Sequence, residues 1–164
     1  MSCTLAIGSR SYSDSNARFS HWAARYVGIR YVPGGRAPEV GLDCWGLVLH
    51  YYRYIRRIPL QDIAFGQYIP ILMENPNAVL PWNCRWERIE VPEEGCVVAM
   101  GYRDAPHHVG LWTAEPPGYI VHALVGLHVV AQTLVQVRRC GIRFLRYYRL
   151  ATEGPLQSWG GVEP

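Results

Sequence analysis

The sequence predicts an α+β domain, because helical patterns come first and strand patterns follow. Apolar residues recur at helical spacing on both sides of a Gly- and Pro-rich stretch at 29–42, whereas short apolar runs separated by turns follow Gly95. About half of the 164 residues are apolar and 18% are charged, which is ordinary for a globular protein. We therefore expect one domain at 15–150, an N-terminal extension at 1–14 and a C-terminal tail at 151–164.

Two helices are expected before the strands. The first is predicted at 15–27, where aromatic and aliphatic residues repeat at helical spacing. The second begins near Asp43, whose carboxylate can cap it, and its apolar stripe runs over 44–55 before Pro59 stops the helix. The stretch 29–42 between them is expected to be a loop.

About five strands are expected after Gly95, separated by turns such as Pro116-Pro117-Gly118. A short helix is predicted at 133–139, and residues 60–92, rich in Pro, Asn and Gln, are interpreted as a loop or short helical insertion. The predicted strands are 96–100, 108–113, 119–123, 128–132 and 143–150.

Charge and cysteine usage argue against several classes of protein. The net charge is +3, all sixteen basic residues are Arg, and they are dispersed, so solvated faces are favoured over a nucleic-acid stripe. No apolar run reaches the roughly 18 residues of a transmembrane helix, and no secretory signal is visible at the start. The five cysteines are odd in number and irregularly spaced, so we expect neither a disulfide framework nor a zinc module. We expect a chain made in a reducing cytoplasm, with no cofactor.

Cys44 is a candidate nucleophile because it lies at the predicted start of a helix. The unpaired N–H groups and the positive end of the helix dipole favour the thiolate there and can hold a developing oxyanion. The alternative is a buried cysteine that packs with Leu47 and Val48, and the helix pattern alone favours this alternative.

Histidines on two later strands could serve such a thiol. If 108–113 and 119–123 form a hairpin, His108 and His122 lie close together, so that one acts as base and the other orients it. Each could also be a structural strand-end residue, and His107 could compete as the base from the opposite face. A metal site of these histidines and a thiol is disfavoured because no HxH or HExxH spacing occurs.

Several of these motifs together resemble the NlpC family of cell-wall cysteine peptidases. The segment 31–48 has a Tyr, a Gly-Gly loop and then Asp-Cys-x-Gly-hydrophobic-Val, which is similar to the family signature. The segment 108–112 is similar to the family's His-Val-Gly-hydrophobic-aromatic strand, 120–123 to the strand with the third catalytic residue, and 143–149 to the closing strand. Three separated motifs in the right order are more specific than any one of them, and the resemblance covers roughly residues 18–150.

The resemblance implies a papain-like α+β fold, with the cysteine helix packed on an antiparallel sheet. It implies Cys44 as the nucleophile, His108 as the base and His122 as the partner that orients the base. It also implies that Tyr31 and Asp43 face the substrate, a peptide stem of peptidoglycan. For Asp43, holding a substrate amine and capping the helix carry equal weight.

Departures from the family pattern concern the substrate cleft. Trp45 follows the cysteine where many secreted members have Ser, so we expect Trp45 to contact the substrate. The stretches 43–48 and 106–111 look most like the version found in bacteriophage tail assembly and tail-tip proteins. We therefore expect a peptidase of the virion, made in the host cytoplasm, acting in the host envelope and bound to tail-tip or hub proteins.

Two other functions remain open at this point. The chain could be mainly a structural tail-tip component that docks through aromatic residues around Trp82, Trp86 and Trp159. It could also be a bacterial toxin effector that attacks the cell wall with the same chemistry.

Overall fold

The computed structural model describes residues 22–62 and 84–152. Within these ranges a six-stranded antiparallel sheet, a small two-stranded sheet and short helices form an α+β fold, so the predicted fold class is confirmed. The elements are a 3₁₀ helix at Trp22–Arg25, β1 Arg36–Ala37, β2 Gly41–Leu42, α1 Cys44–Tyr54, β3 Cys84–Ile89, β4 Val97–Gly101, β5 His108–Thr113, β6 Tyr119–Ala123, β7 Val129–Gln132, α2 Leu134–Arg139 and β8 Phe144–Thr152.

The large sheet has the strand order β3-β8-β4-β5-β6-β7, with antiparallel neighbours throughout. The strands β4 to β7 follow one another as a meander, and β8 returns to lie between β3 and β4. The predicted strands at 108–113 and 119–123 are therefore confirmed as a hairpin, with Leu111 opposite Val121.

Helix α1 begins where the sequence predicts, because the Asp43 side chain accepts a hydrogen bond from the Gly46 N–H and caps the first turn. Its apolar stripe packs on β5 and β6, and the buried stripe residues are Leu47, Val48, Tyr51 and Tyr52. The helix ends at Tyr54, earlier than Pro59, and Arg57 has a positive φ of 60° in the turn that follows.

Three of the predicted elements differ from the structure. The predicted helix at 15–27 is a 3₁₀ helix at Trp22–Arg25 in its described part, and 15–21 lie outside the described residues. The stretch 29–42 is not only a loop, because β1 and β2 form a short hairpin in it. The third difference concerns β3.

Strand β3 was expected to be a loop or a helical insertion, and this prediction is wrong for 84–89. The strand was missed because several of its residues are charged and, of the side chains that the structure describes there, only Trp86, which is 2% exposed, is buried in the core. On the exposed side Glu87 accepts hydrogen bonds from both Arg85 and Arg149. With β3 paired to β8, the sheet has six strands rather than about five.

Two hydrophobic cores occupy the two faces of the large sheet. The larger core lies under α1 and includes Trp22, Leu47 and Trp86. The smaller core contains Met100, Trp112, Ile120 and Val137, the last from α2. No helix in the described ranges has the length and apolarity that crossing a bilayer requires.

Cys44, Cys96 and Cys140 form no disulfide within the part of the chain that the structure describes. Burial raises the pKa of Cys96 to about 12, so this thiol stays protonated. The extension at 1–14 and the tail beyond Thr152, including Trp159, lie outside the described residues, as does Trp82.

Candidate active site

Cys44 is the first residue of α1 and is 3% exposed. The cap residue Asp43 is fully buried, and its carboxylate accepts hydrogen bonds from the Gly46 N–H at 2.6 Å, the Gly34 N–H at 3.0 Å and the Arg36 guanidinium at 2.9 Å. The predicted capping role of Asp43 is therefore confirmed, whereas its contact with a substrate amine stays a prediction.

Glycines explain how the loop before α1 comes so close to the helix. A Cβ on Gly35 would collide with the Gly41 carbonyl, and a Cβ on Gly46 would collide with the Gly35 carbonyl. Gly34 has a positive φ of 70°, which favours glycine. The Gly-Gly and Cys-x-Gly parts of the motif thus bring the loop, the cap and the thiol together.

Tyr31 lies beside this helix start and is partly buried. Burial raises the pKa of the Tyr31 hydroxyl, and the neighbouring Cys44 and Asp43 raise it further, so the hydroxyl remains a hydrogen-bond donor. The Tyr31 N–H donates to the Leu127 carbonyl at 3.2 Å, in the turn between β6 and β7. Tyr31 therefore connects the start of α1 to the end of the sheet where β6 finishes.

Trp45 packs in the core with Cys44 and is only 3% exposed. Its indole is therefore part of the larger hydrophobic core under α1. Its predicted substrate contact stays a prediction.

His108 and His122 form a hydrogen-bonded pair, with His108 Nε2 and His122 Nδ1 at 2.9 Å. His108 is the first residue of β5, and its ring meets the His122 ring edge-on with centroids 5.1 Å apart. Gly110 provides the space for this pair, because a Cβ there would lie 2.9 Å from the His122 Cβ. The predicted proximity of the two histidines is therefore confirmed.

Burial keeps both imidazoles neutral at neutral pH. It lowers the pKa of His122 to about 4, despite a hydrogen bond to Gln132 that opposes the shift. It lowers the pKa of His108 well below its ordinary value, and the neighbouring His122 and His107 lower it further. A neutral His108 has a lone pair with which to accept a proton.

Gln132 is the residue that sequence reasoning missed. It is the last residue of β7, is 7% exposed, and its Oε1 lies 2.9 Å from His122 Nε2. The only signal in the sequence was a polar residue that ends the apolar run Val129–Ala131, and such a residue is usually a strand terminus.

His107 and His50 have ring partners other than the pair of His108 and His122. His107 is exposed and stacks on Tyr102, with ring centroids 4.6 Å apart. His50 Nδ1 is hydrogen-bonded to the Tyr26 hydroxyl at 2.8 Å. His50 also lines a small pocket of about 120 Å³ beside α1. Among the described residues, no group of three or more His, Cys, Asp or Glu side chains is placed to hold a metal ion.

The predicted site residues thus form two groups at one end of the large sheet. One group is Tyr31, Asp43 and Cys44 at the start of α1. The other is the pair of His108, at the start of β5, and His122, near the end of β6. Tyr31 links the groups through the turn that follows β6.

A helix that begins with cysteine, packed on an antiparallel sheet that carries a histidine pair, is the arrangement of papain-like α+β proteins. The model of the NlpC/P60 family matches residues 28–142, which is more than half of the chain and includes every residue of both groups. The chain belongs to the NlpC/P60 family, whose members are generally cysteine peptidases and amidases that act on peptidoglycan. No curated protein matches the chain in sequence.

Proposed function

We propose that this protein is a cysteine peptidase that hydrolyses peptide bonds in the stems of bacterial peptidoglycan. The observation that carries the proposal is the neutral, hydrogen-bonded pair of His108 and His122 at the same end of the sheet as the Cys44 thiol. Membership of the NlpC/P60 family supports the substrate class.

In the proposed reaction, Cys44 Sγ attacks the scissile carbonyl carbon while its proton passes to Nδ1 of His108. Nδ1 is the nitrogen available for this step because Nε2 of His108 is bonded to His122. The new oxyanion accepts hydrogen bonds from the Cys44 N–H and from the Tyr31 hydroxyl, whose raised pKa keeps its proton in place.

The second half of the reaction returns the enzyme to its starting state. The carbon–nitrogen bond breaks as His108 gives its proton to the leaving amine, which leaves a thioester on Cys44. His108 then takes a proton from water as the water oxygen attacks the thioester carbonyl, and it returns this proton to the sulfur as the carbon–sulfur bond breaks and the acid product leaves. His122 orients His108 and accepts a hydrogen bond from it throughout.

The test is to incubate the purified protein with muropeptides and identify the products by mass spectrometry. We expect cleavage by the wild type and by Cys140→Ala, a matched thiol removal at the end of α2, and none by Cys44→Ala. Undiminished cleavage by Cys44→Ala would refute the mechanism. The masses of the products identify the bond, which we propose to be the one between D-Glu and the diamino acid.

We further propose that the protein acts as a component of a bacteriophage tail, made in the host cytoplasm and active in the host envelope. The support is the similarity of 43–48 and 106–111 to the phage tail version of the family. A tail-associated peptidase requires that phage carrying Cys44→Ala assemble but penetrate the cell wall poorly.

Normal infection by that phage would favour a structural tail-tip role instead. Of the aromatic residues suggested for such docking, Trp86 is 2% exposed in the core and cannot bind a hub protein. A neighbouring immunity gene in place of tail genes would favour a toxin effector.

A further inference from the structure

We propose that Gln132 is a positioning residue that fixes the tautomers of both histidines and thereby makes Nδ1 of His108 the basic nitrogen. The inference rests on the proposed function for its role in catalysis, but the tautomers can be measured without any substrate. Nothing in the sequence motifs assigns a role to this glutamine.

The register of β6 and β7 brings Gln132 to His122. Ile120 is opposite Gln132 and His122 is opposite Val130, so the two polar side chains are diagonal neighbours on one face of the sheet. Both are almost fully buried, with 7% exposed for Gln132 and 4% for His122. Water is therefore a poor competitor for the hydrogen bond that joins them.

The direction of each hydrogen bond follows from the chemistry of the atoms. An amide oxygen can only accept, so the 2.9 Å contact to Gln132 Oε1 requires a proton on His122 Nε2. Because a neutral imidazole carries one ring proton, His122 Nδ1 is then an acceptor. The 2.9 Å contact between the histidines consequently requires a proton on His108 Nε2.

This chain of three side chains leaves Nδ1 of His108 with its lone pair. When His108 takes a proton on Nδ1, its Nε2–H still donates to His122, so no ring has to turn during the reaction. Without the Gln132 acceptor, His122 can place its proton on Nδ1 instead. In that tautomer the Nδ1–H of His122 faces the Nε2 of His108, so His108 is favoured with its own proton on Nδ1. Nδ1 of His108 then has no lone pair with which to accept the proton of Cys44.

Two variants of Gln132 separate this role from simple packing. Gln132→Met keeps the length of the side chain but has no strong acceptor, whereas Gln132→Glu keeps an acceptor of the same shape. Gln136→Met is the matched control, because Gln136 belongs to the exposed capping box of α2 and its loss costs stability outside the histidine chain.

The deciding measurement is the ring ¹⁵N NMR spectrum of His108 and His122 at neutral pH, which distinguishes the two tautomers. We expect Nε2–H on both rings in the wild type, in Gln132→Glu and in Gln136→Met. In Gln132→Met we expect a substantial Nδ1–H population of His122. An Nδ1–H form of His122 in the wild type, or unchanged tautomers in Gln132→Met, would overturn the inference.

Muropeptide kinetics then test the catalytic consequence. We expect kcat to fall about tenfold or more in Gln132→Met with little change in KM, and to recover at least in part in Gln132→Glu. If the wild type cleaves no muropeptide, the proposed function fails while the spectra still decide the tautomers. If the wild type cleaves and Gln132→Met retains its kcat, the positioning role fails alone.

Discussion

The two halves of the candidate site are held together by different kinds of interaction. At the start of α1, a buried carboxylate binds a guanidinium and two backbone N–H groups, all from residues within 34–46. Across β5, β6 and β7, a series of neutral hydrogen bonds joins residues 14 and then 10 positions apart. The first half therefore depends on charge and local turns, and the second depends on strand register and on protonation.

The largest expected difference in activity is between substitutions of His108, the first residue of β5, and of His107, the residue just before it. His108→Ala should lower muropeptide hydrolysis about 10³-fold, because it removes the base, whereas His107→Ala should leave hydrolysis close to wild type. The same pair should differ in the rate at which iodoacetamide alkylates Cys44 at neutral pH, followed by mass spectrometry of the Cys44 peptide. Equal rates of alkylation in the two variants would show that His108 does not activate the thiol.

The histidine half should also make stability depend on pH. The folded-state pKa of His122 is about 4, below its ordinary value of 6.5, so the unfolded chain binds more protons between these values. Stability from this group is therefore complete above pH 6.5 and falls by about 3 kcal/mol as the pH drops through 4. Urea denaturation of the wild type and of His122→Gln at pH 7 and pH 4 gives the free energies of unfolding that measure this contribution.

In that experiment His122→Gln should lose less stability between the two pH values than the wild type does. His107→Gln should lose nearly as much stability as the wild type, because the His107 ring is exposed and stacks on Tyr102. A wild-type pH dependence that survives unchanged in His122→Gln would mean that the proton uptake occurs elsewhere.

The same contrast explains how much of the molecule the sequence predicts. The cap at Asp43, the helix that begins with Cys44 and the hairpin of β5 and β6 are predicted correctly, because each follows from residues close together in the chain. Strand β3 was missed because it pairs with β8, more than 50 residues away, and exposes charged residues on one side. Gln132 was missed because only the register of β6 and β7 brings it to His122.

Trp45 illustrates a different limit of the sequence. The motif places it next to Cys44, but the helical position alone does not decide whether the indole points to a cleft or to the core. The structure places it in the core, where it packs with the apolar residues under α1.

The charged half predicts a loss of stability that depends on burial. Asp43→Ala removes the cap of α1 and leaves the Gly34 N–H and the Arg36 guanidinium without this partner, so we expect a loss of about 2 to 3 kcal/mol. Asp62→Ala removes the other carboxylate bound to Arg36, but 60% of that side chain is exposed, so we expect less than about 1 kcal/mol. Urea denaturation at pH 7 compares the two, and equal losses would mean that the cap and the burial of Asp43 contribute nothing.

Two glycine substitutions with similar, modest losses of stability separate an effect on the fold from an effect on the site. Gly110→Ala places a Cβ 2.8 Å from the Val121 carbonyl oxygen and 2.9 Å from the His122 Cβ. The atoms closest to this Cβ all belong to β6, so that strand has to move away from β5, and His122 moves with it. We expect about 1 to 2 kcal/mol of destabilisation and about a tenfold fall in kcat, because the histidine pair loses its alignment.

Gly126→Ala is the matched control. Its Cβ meets no atom within 4 Å but strains a positive φ of 76°, so the substitution should cost about 1 kcal/mol of stability and leave kcat unchanged. Both variants weaken the fold by similar amounts, so a fall in kcat confined to Gly110→Ala assigns the loss to the histidine pair, whereas equal kcat values would show that the pair tolerates the displacement.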